Sequence, residues 1–162
     1  MSVNKKVRNT RAIVYDNISF KSTLECNCYK KLKAAGFDAV YEKCTYVLLP
    51  SSKLKFVKLF TPNKKKSLSL HGSYRAMTYT PDFEFEYKGV TVLYDAKGKP
   101  NDTYPLKKKL FLHYLESIGK PYMFFEPHNL KQVEESIQII LDELSTEDDE
   151  ASRSMPEPRR FE

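Results

Sequence analysis

The chain has 162 residues, 41% of them apolar, three cysteines and a formal net charge of +6, which suits one domain with one hydrophobic core. No stretch approaches the roughly 20 apolar residues of a membrane span, and the basic N-terminus lacks the apolar run of a signal peptide. An odd number of cysteines without a secretion signal disfavours a disulfide framework, so we expect a cytoplasmic protein with reduced thiols and no membrane association.

A basic segment and a helix are predicted first. Residues 1–20 are basic with little periodicity, apart from a short strand predicted in RAIVYD. From Ser22 onward the apolar side chains recur at three- and four-residue steps, which predicts a helix. Gly36 lies where a C-terminal stop belongs. We therefore expect the folded domain to begin at residue 21.

A strand and a basic insertion follow this helix. The run AVYEKCTYVLLP has strand composition, and Pro50 ends it. Residues 51–77 are rich in lysine with weak strand signals, which predicts an inserted arm or loop. Arg75 and the run Lys64-Lys65-Lys66 suit sequence-independent contacts with phosphate. Solvated loop residues would account for them equally well.

The segment TPDFEFEYKGVTVLYDAKGK predicts a β-hairpin with Lys88-Gly89 as its two-residue turn. In this register Asp82 lies directly opposite Asp95, whereas a three-residue loop would shift the pairing by one position. Alternation then places an almost purely apolar set on one face, which must meet the core. That set is Phe83, Phe85, Tyr87, Val90, Val92 and Tyr94.

The other face of the hairpin carries Asp82, Asp95 and Lys97. Directly opposed side chains have Cβ atoms roughly 4.5–5.5 Å apart, and like charges there are destabilising. The pair therefore needs a positive partner, and both Lys97 and a divalent cation qualify. Mg²⁺ favours carboxylate oxygens, and beside a lysine it would support cleavage of phosphodiester bonds. Exposed strand-end aspartates paired with lysines are the plain alternative.

The C-terminal part predicts a helix at LKKKLFLHYLESIG, a buried strand at PYMFFE and a last helix that ends at Leu144. Residues 145–162 lack apolar spacing, which predicts a disordered acidic tail. The order helix, strand, hairpin, helix, strand, helix indicates an α/β fold around one mixed sheet.

Charge is distributed unevenly between the body and this tail. Residues 1–120 hold 23 Lys/Arg against 10 Asp/Glu, whereas residues 121–162 hold 4 against 11. A basic body favours a polyanionic partner such as nucleic acid, although a solvated lysine-rich surface would show the same charge. A protein partner bound through the acidic tail and a homodimer both remain open.

The hairpin residues resemble a known motif. Pro81-Asp82, the thirteen-residue step to Asp95 and the triplet Asp95-Ala96-Lys97 resemble PD-(D/E)xK of the restriction-endonuclease-like nuclease superfamily. The hairpin followed by LKKKLF is similar to small phage-encoded nuclease-like proteins of that superfamily. The same segment is also similar to the transposon end-cleaving endonucleases and the Holliday-junction resolvases of that superfamily. The resemblance covers roughly residues 20 to 125.

The resemblance implies a restriction-endonuclease-like αβββαβ core, with a mixed central sheet flanked by helices, in a nuclease-like domain at residues 21–144. It further implies a metal-dependent endonuclease that hydrolyses DNA, branched DNA included, in phage-type DNA processing. A phage-encoded chain would act in the host cytoplasm. The alternatives are a non-catalytic or partner-dependent nucleic-acid-binding protein on the same fold, and an RNA-processing nuclease.

The resemblance also implies residue roles. Asp82, Asp95 and Lys97 would be catalytic, and Glu25 matches a glutamate that the superfamily usually adds from the preceding helix. The three carboxylates would bind Mg²⁺, with Mn²⁺ able to substitute. Glu25 has a second explanation, because the S-x-x-E pattern from Ser22 is a capping box, in which Glu25 would accept from the Ser22 amide.

Two further lysines are candidates for contact with DNA. Lys99 follows Lys97 on the same side of the hairpin. Lys107 opens the second helix, where related nucleases often place a basic or amide residue. Solvent-exposed lysines would again explain both positions.

Overall fold

The computed structural model describes the backbone of residues 13–53, 59–62, 68–71, 73–98 and 102–153. Three helices and twelve strands lie within these ranges. The helices are α1 Thr23–Ala34, α2 Tyr104–Ile118 and α3 Leu130–Arg153. The first six strands are β1 Ile13–Tyr15, β2 Ile18–Phe20, β3 Val40–Tyr41, β4 Tyr46–Leu49, β5 Ser52–Lys53 and β6 Leu59–Pro62. The other six are β7 Leu68–His71, β8 Ser73–Tyr74, β9 Met77–Tyr79, β10 Phe83–Tyr87, β11 Val90–Tyr94 and β12 Tyr122–Phe125.

The largest sheet in the described part of the chain has four strands in the order β12-β11-β10-β3. β10 is antiparallel to both β3 and β11, whereas β11 and β12 are parallel. The parallel pair is connected through α2, as parallel strands require a long crossover. The predicted α/β fold around one mixed sheet is confirmed at this level.

The β10–β11 hairpin has the register that the sequence predicts. Tyr87 pairs with Val90, and Phe83 pairs with Tyr94. The turn residues Lys88 and Gly89 both have positive φ, at 47° and 79°, as in the two-residue turns that match strand twist. The ends of the two strands, where Asp82 and Asp95 lie, are therefore brought side by side.

Helices cover both faces of this sheet. The predicted apolar face of the hairpin packs into a core with side chains of α1 and α3, such as Leu32, Val133 and Ile140. On the opposite face, Leu93 packs with Phe111 and Leu115 of α2. Because both faces are covered, the polar side chains at the strand ends lie at the edge of a dry core.

The start of the fold differs from the prediction. β1 and β2 form a small antiparallel hairpin through Asp16 and Asn17, which both have positive φ. Phe20 at the end of β2 is fully buried in the core. The packed structure therefore begins before residue 21. The short strand predicted in RAIVYD corresponds to β1, but strands of three residues are too short to show by periodicity that they pack into the core.

The strand predicted over AVYEKCTYVLLP is two strands. Glu42, with a φ of 46°, turns the chain between β3 and β4. β3 joins the central sheet, whereas β4 pairs with β9. A left-handed residue has no side-chain signature here, so composition alone could not find this break.

The last helix is longer than predicted. α3 continues to Arg153, whereas the sequence predicts that this helix ends at Leu144 and that a disordered tail begins at residue 145. Residues 145–153 contain Glu and Ala, which are good helix formers, so helix propensity favours the extension. Residues 154–162 lie outside the described residues. No helix in the described part is long and apolar enough to cross a membrane.

Candidate active site

Asp82 lies immediately before β10, and its carboxylate is buried. Its Oδ2 accepts a hydrogen bond of 2.8 Å from the Ala96 amide, which belongs to the opposite arm of the hairpin. Its backbone carbonyl accepts from the Glu42 amide at 2.9 Å. Asp82 is thus held between β3 and the end of β11.

Asp95 follows β11 and is 1% exposed. Its amide donates to the Phe125 carbonyl at 3.0 Å, and the Lys97 amide donates to the Pro127 carbonyl at 3.1 Å. The backbone of residues 95–97 therefore continues beyond β11 alongside residues 125–127 at the end of β12. This alignment places the side chains of Asp95 and Lys97 on the same side.

The two carboxylate oxygens of Asp95 have different surroundings. Oδ2 accepts a hydrogen bond from the Tyr79 hydroxyl. Oδ1 lies 2.5 Å from the Lys97 Nζ but accepts no well-aligned hydrogen bond from the described residues. The short distance establishes a close ion pair, while the poor alignment leaves hydrogen-bonding capacity on Oδ1. A buried oxygen of this kind is a suitable acceptor for a ligand.

Lys97 supplies the positive charge beside the carboxylates. Burial alone would lower the pKa of Lys97, but the charges of Asp82 and Asp95 raise it above its ordinary value. Its Nζ also lies 5.2 Å from the centre of the Tyr104 ring, within the range of a cation–π contact. The ammonium form of Lys97 is therefore strongly favoured.

Asp82 shows that the carboxylates repel one another. Burial and the charge of Asp95 raise the pKa of Asp82 to about 8, and the attraction of Lys97 lowers it only in part. Glu25 adds to the rise. Ionising all three carboxylates beside one ammonium group would leave an excess of negative charge in a desolvated site, so Asp82 holds a proton near neutral pH unless a further cation takes its place.

Glu25 is buried at the start of α1 and is fully hydrogen-bonded. Its Oε2 accepts from the Lys21 amide at 2.9 Å and from the Tyr41 hydroxyl at 2.6 Å. Its Oε1 accepts from the Ser22 hydroxyl at 2.9 Å. The Ser22 side chain caps α1 at the Glu25 amide, but the carboxylate bonds to the Lys21 amide rather than to the Ser22 amide. The capping box is thus shifted by one residue.

The donor set fits a magnesium ion held by two carboxylates. Among the described residues, no group of three or more His, Cys, Asp and Glu is arranged to hold a metal ion. Mg²⁺, however, commonly uses only one or two protein carboxylates and completes its shell with waters and substrate phosphates. Asp82 and Asp95 meet that requirement, although an ion bound at Asp95 Oδ1 would share this oxygen with the Lys97 ammonium. Magnesium binding, and the participation of Glu25 in it, stay predictions.

The structure adds neighbours that sequence spacing did not indicate. Beside Lys97, Glu126 accepts from the Tyr104 hydroxyl at 2.8 Å and from Lys108 at 2.5 Å. The Nδ1 of His128 lies 2.6 Å from the Lys97 carbonyl oxygen. No motif would have found this group, because its members come from α2 and from the loop after β12.

The residues predicted to contact nucleic acid have different surroundings, and the contacts themselves stay predictions. Lys108 rather than Lys107 is the α2 lysine that contacts the Tyr104 ring and Glu126. Arg75 is exposed and follows β8. The predicted contacts at Lys64, Lys65, Lys66 and Lys99 lie outside the described residues.

Comparison with known proteins identifies a family whose function is unknown. A family model described as a protein of unknown function, DUF1064, matches residues 5–124, which include Glu25, Asp82, Asp95 and Lys97. No curated protein matches the chain, and no solved structure matches it.

Proposed function

The chain belongs to the DUF1064 family of proteins of unknown function, and we propose that it is a metal-dependent endonuclease that hydrolyses phosphodiester bonds in DNA. One observation carries the proposal. Two buried carboxylates, Asp82 and Asp95, meet at the strand ends with the Lys97 ammonium 2.5 Å from Asp95 Oδ1. A desolvated cluster with excess negative charge costs stability, which makes a functional role the better explanation.

The chain topology supports the same proposal. In chain order the main elements are α1, β3, β10, β11, α2 and β12, the αβββαβ order of the nuclease superfamily that the motif resembles. We therefore propose a restriction-endonuclease-like core. Asp82 precedes β10, whereas Asp95 and Lys97 follow β11, so all three lie at the end of the sheet where β3 and β12 also terminate.

Asp82 and Asp95 would hold Mg²⁺, with Glu25 as a further carboxylate beside them. When bound, the ion would lower the pKa of a coordinated water and polarise the phosphate. Mn²⁺ would substitute because it also accepts carboxylate ligands.

Lys97 would stabilise negative charge in the transition state. During hydrolysis the water oxygen forms a bond to phosphorus, the bond to the leaving oxygen breaks, and that oxygen gains a proton. Negative charge on the phosphate oxygens is best stabilised by groups that are already in place. The pKa of Lys97 is raised by its carboxylate neighbours, so the side chain acts as a cation rather than as the base that deprotonates water.

The remaining residues would keep these groups in position. The Ala96 amide holds Asp82, and the Tyr79 hydroxyl holds Asp95. The Tyr104 ring lies beside the Lys97 ammonium and would restrict the orientation of the Lys97 side chain. Fixed groups of this kind do not have to reorganise as charge develops on the substrate.

The decisive test is cleavage of plasmid, linear and four-way-junction DNA with Mg²⁺ or with EDTA. The Asp95→Asn variant removes the central charge, and Glu86→Gln, on the same hairpin and exposed, is the matched control. We expect cleavage by the wild type and by Glu86→Gln in Mg²⁺ only, and a loss of about 10³-fold or more in Asp95→Asn.

Equal cleavage by Asp95→Asn and the control would overturn the proposed site. Binding of DNA without cleavage of any substrate would replace the nuclease with a nucleic-acid-binding protein. RNA substrates in the same assay separate a ribonuclease from a deoxyribonuclease.

A further inference from the structure

The segment between β4 and β9 forms a two-stranded arm. Three successive antiparallel ladders pair β4 with β9, β5 with β8, and β6 with β7. The root of this arm is tied to the central sheet by two tyrosine hydroxyls. Tyr79 donates to Asp95 Oδ2, and Tyr46 donates to Glu84 Oε2. The arm therefore has a defined attachment beside the candidate active site.

A polar cleft of about 530 Å³ lies where β5 and β8 pair. It is lined by Ser51, Ser52, Lys53, Ser73, Tyr74 and Arg75. Every one of these side chains carries a hydrogen-bond donor, and none carries a carboxylate. In the part of the chain that the structure describes, neither Lys53 nor Arg75 forms an ion pair with an acidic residue.

This composition is suited to an anion. Two cations that form no ion pair with the described residues, together with four hydroxyls, offer the charge-assisted hydrogen bonds that phosphate oxygens accept. Tyr74 lines the cleft and is 46% exposed, so a ligand can reach its side chain. Glu84 of the central sheet pairs with Lys43 and Tyr46 and not with the cations of the cleft.

We propose that this cleft is a phosphate-binding site separate from the candidate active site. It would contact the backbone of duplex DNA several base pairs from the bond that is cleaved. The assignment of the anion to DNA rests on the proposed nuclease function. Tyr74 precedes Tyr79 by five residues, which span at most about 17 Å when fully extended. At about 3.4 Å per base pair, the cleft would contact DNA within roughly five base pairs of the candidate active site.

Two physical arguments favour duplex DNA over the other nucleic acids. A duplex held at one point presents its more distant phosphates at nearly fixed positions, because its persistence length is about 150 base pairs. A single strand would have to be ordered over the same distance at an entropic cost. The major groove of B-form DNA admits a two-stranded β-ribbon, whereas the deep, narrow major groove of A-form RNA does not.

The test compares Lys53→Gln/Arg75→Gln with the matched control Lys30→Gln/Lys131→Gln, which removes the same charge from exposed positions on α1 and α3. Fluorescence anisotropy in EDTA measures affinity for a 24-base-pair DNA duplex (about 80 Å long) at several salt concentrations. We expect the cleft variant to bind about tenfold more weakly at physiological salt. The slope of log affinity against log salt should fall by about two, one for each lost phosphate contact.

Arg75→Lys retains the charge and should keep most of the affinity, which distinguishes a phosphate contact from a folding defect. Equal affinities in the cleft variant and the control would overturn the proposed site. If the cleft variant loses more affinity for single-stranded DNA or for duplex RNA of the same length than for duplex DNA, the assignment of the cleft to duplex DNA is overturned. Because EDTA prevents cleavage, these results do not depend on whether the chain is a nuclease.

Discussion

The hydroxyl of Tyr79 donates a hydrogen bond to the Oδ2 of Asp95. Tyr79 ends β9, whereas Asp95 follows β11, so the bond connects the root of the arm to the candidate active site. Burial and the charge of Asp95 raise the pKa of Tyr79, which keeps its hydroxyl protonated. The ring stacks on Phe111 of α2, with the ring centroids 4.3 Å apart.

Tyr79→Phe should retain this stacking while it removes the donor to Asp95. We expect a loss of about 1–3 kcal/mol in the free energy of unfolding, because a buried carboxylate oxygen loses its partner. Urea unfolding measures this change, and the cleavage rate should fall with it. Tyr87→Phe is the control, since the Tyr87 hydroxyl makes no hydrogen bond to the described residues. Equal stability in the two variants would mean that the Tyr79 hydroxyl contributes nothing.

Asp82 and Asp95 should bind a divalent cation together. Isothermal titration with Mn²⁺ should detect one site in the wild type, weakened at least tenfold in Asp82→Asn and in Asp95→Asn. Glu86→Gln removes an exposed carboxylate from the same hairpin and should bind as the wild type does. Unchanged affinity in both aspartate variants would remove the metal site.

Lys97→Ala should abolish cleavage while affinity for DNA stays nearly the same. The reason is that one phosphate-facing lysine among many contributes little to net affinity, whereas a cation at the reacting phosphate contributes mainly in the transition state. Lys131→Ala, a change at an exposed position, controls for the loss of charge. Turnover by Lys97→Ala close to that of the wild type would leave Lys97 as a structural charge only.

Glu25→Gln separates the two explanations of Glu25. Glutamine has one acceptor oxygen for three donors, so we expect a loss of about 1–3 kcal/mol in the free energy of unfolding from the hydrogen bonds alone. Tyr41→Phe disturbs the same network without changing its charge. If Glu25 assists the metal, only Glu25→Gln should weaken Mn²⁺ binding. Matching Mn²⁺ affinities in the two variants would assign Glu25 to the start of α1 alone.

Stability in EDTA should fall as pH rises between about 4 and 8. The pKa of Asp82 is raised from 3.8 to about 8 in the folded protein, so in this range the native state binds more protons than the unfolded state. By linkage, each pH unit costs at most about 1.4 kcal/mol from this group. Asp82→Asn imitates the protonated side chain and should flatten the dependence measured by urea unfolding. If the stability of Asp82→Asn depends on pH as steeply as that of Glu86→Gln, the assignment of the pH dependence to Asp82 is contradicted.

Local rules sufficed for the hairpin that carries the motif. The two-residue turn at Lys88-Gly89 determines which residues pair, and alternation determines which face each side chain occupies. The placement of Asp82 opposite Asp95 could therefore be predicted from the sequence. The cap of α1 at Ser22 could be predicted in the same way. These features depend on residues close together in the chain, where few competing arrangements exist.

Contacts between distant segments could be decided only by the tertiary structure. The donor to Asp95 is Tyr79 on another strand, and a donor to Glu25 is Tyr41, sixteen residues further along the chain. The break at Glu42, which sends β3 and β4 to different partners, has no local signature either. Such choices depend on which surfaces pack together, and many pairings of similar local propensity compete until the whole core is assembled.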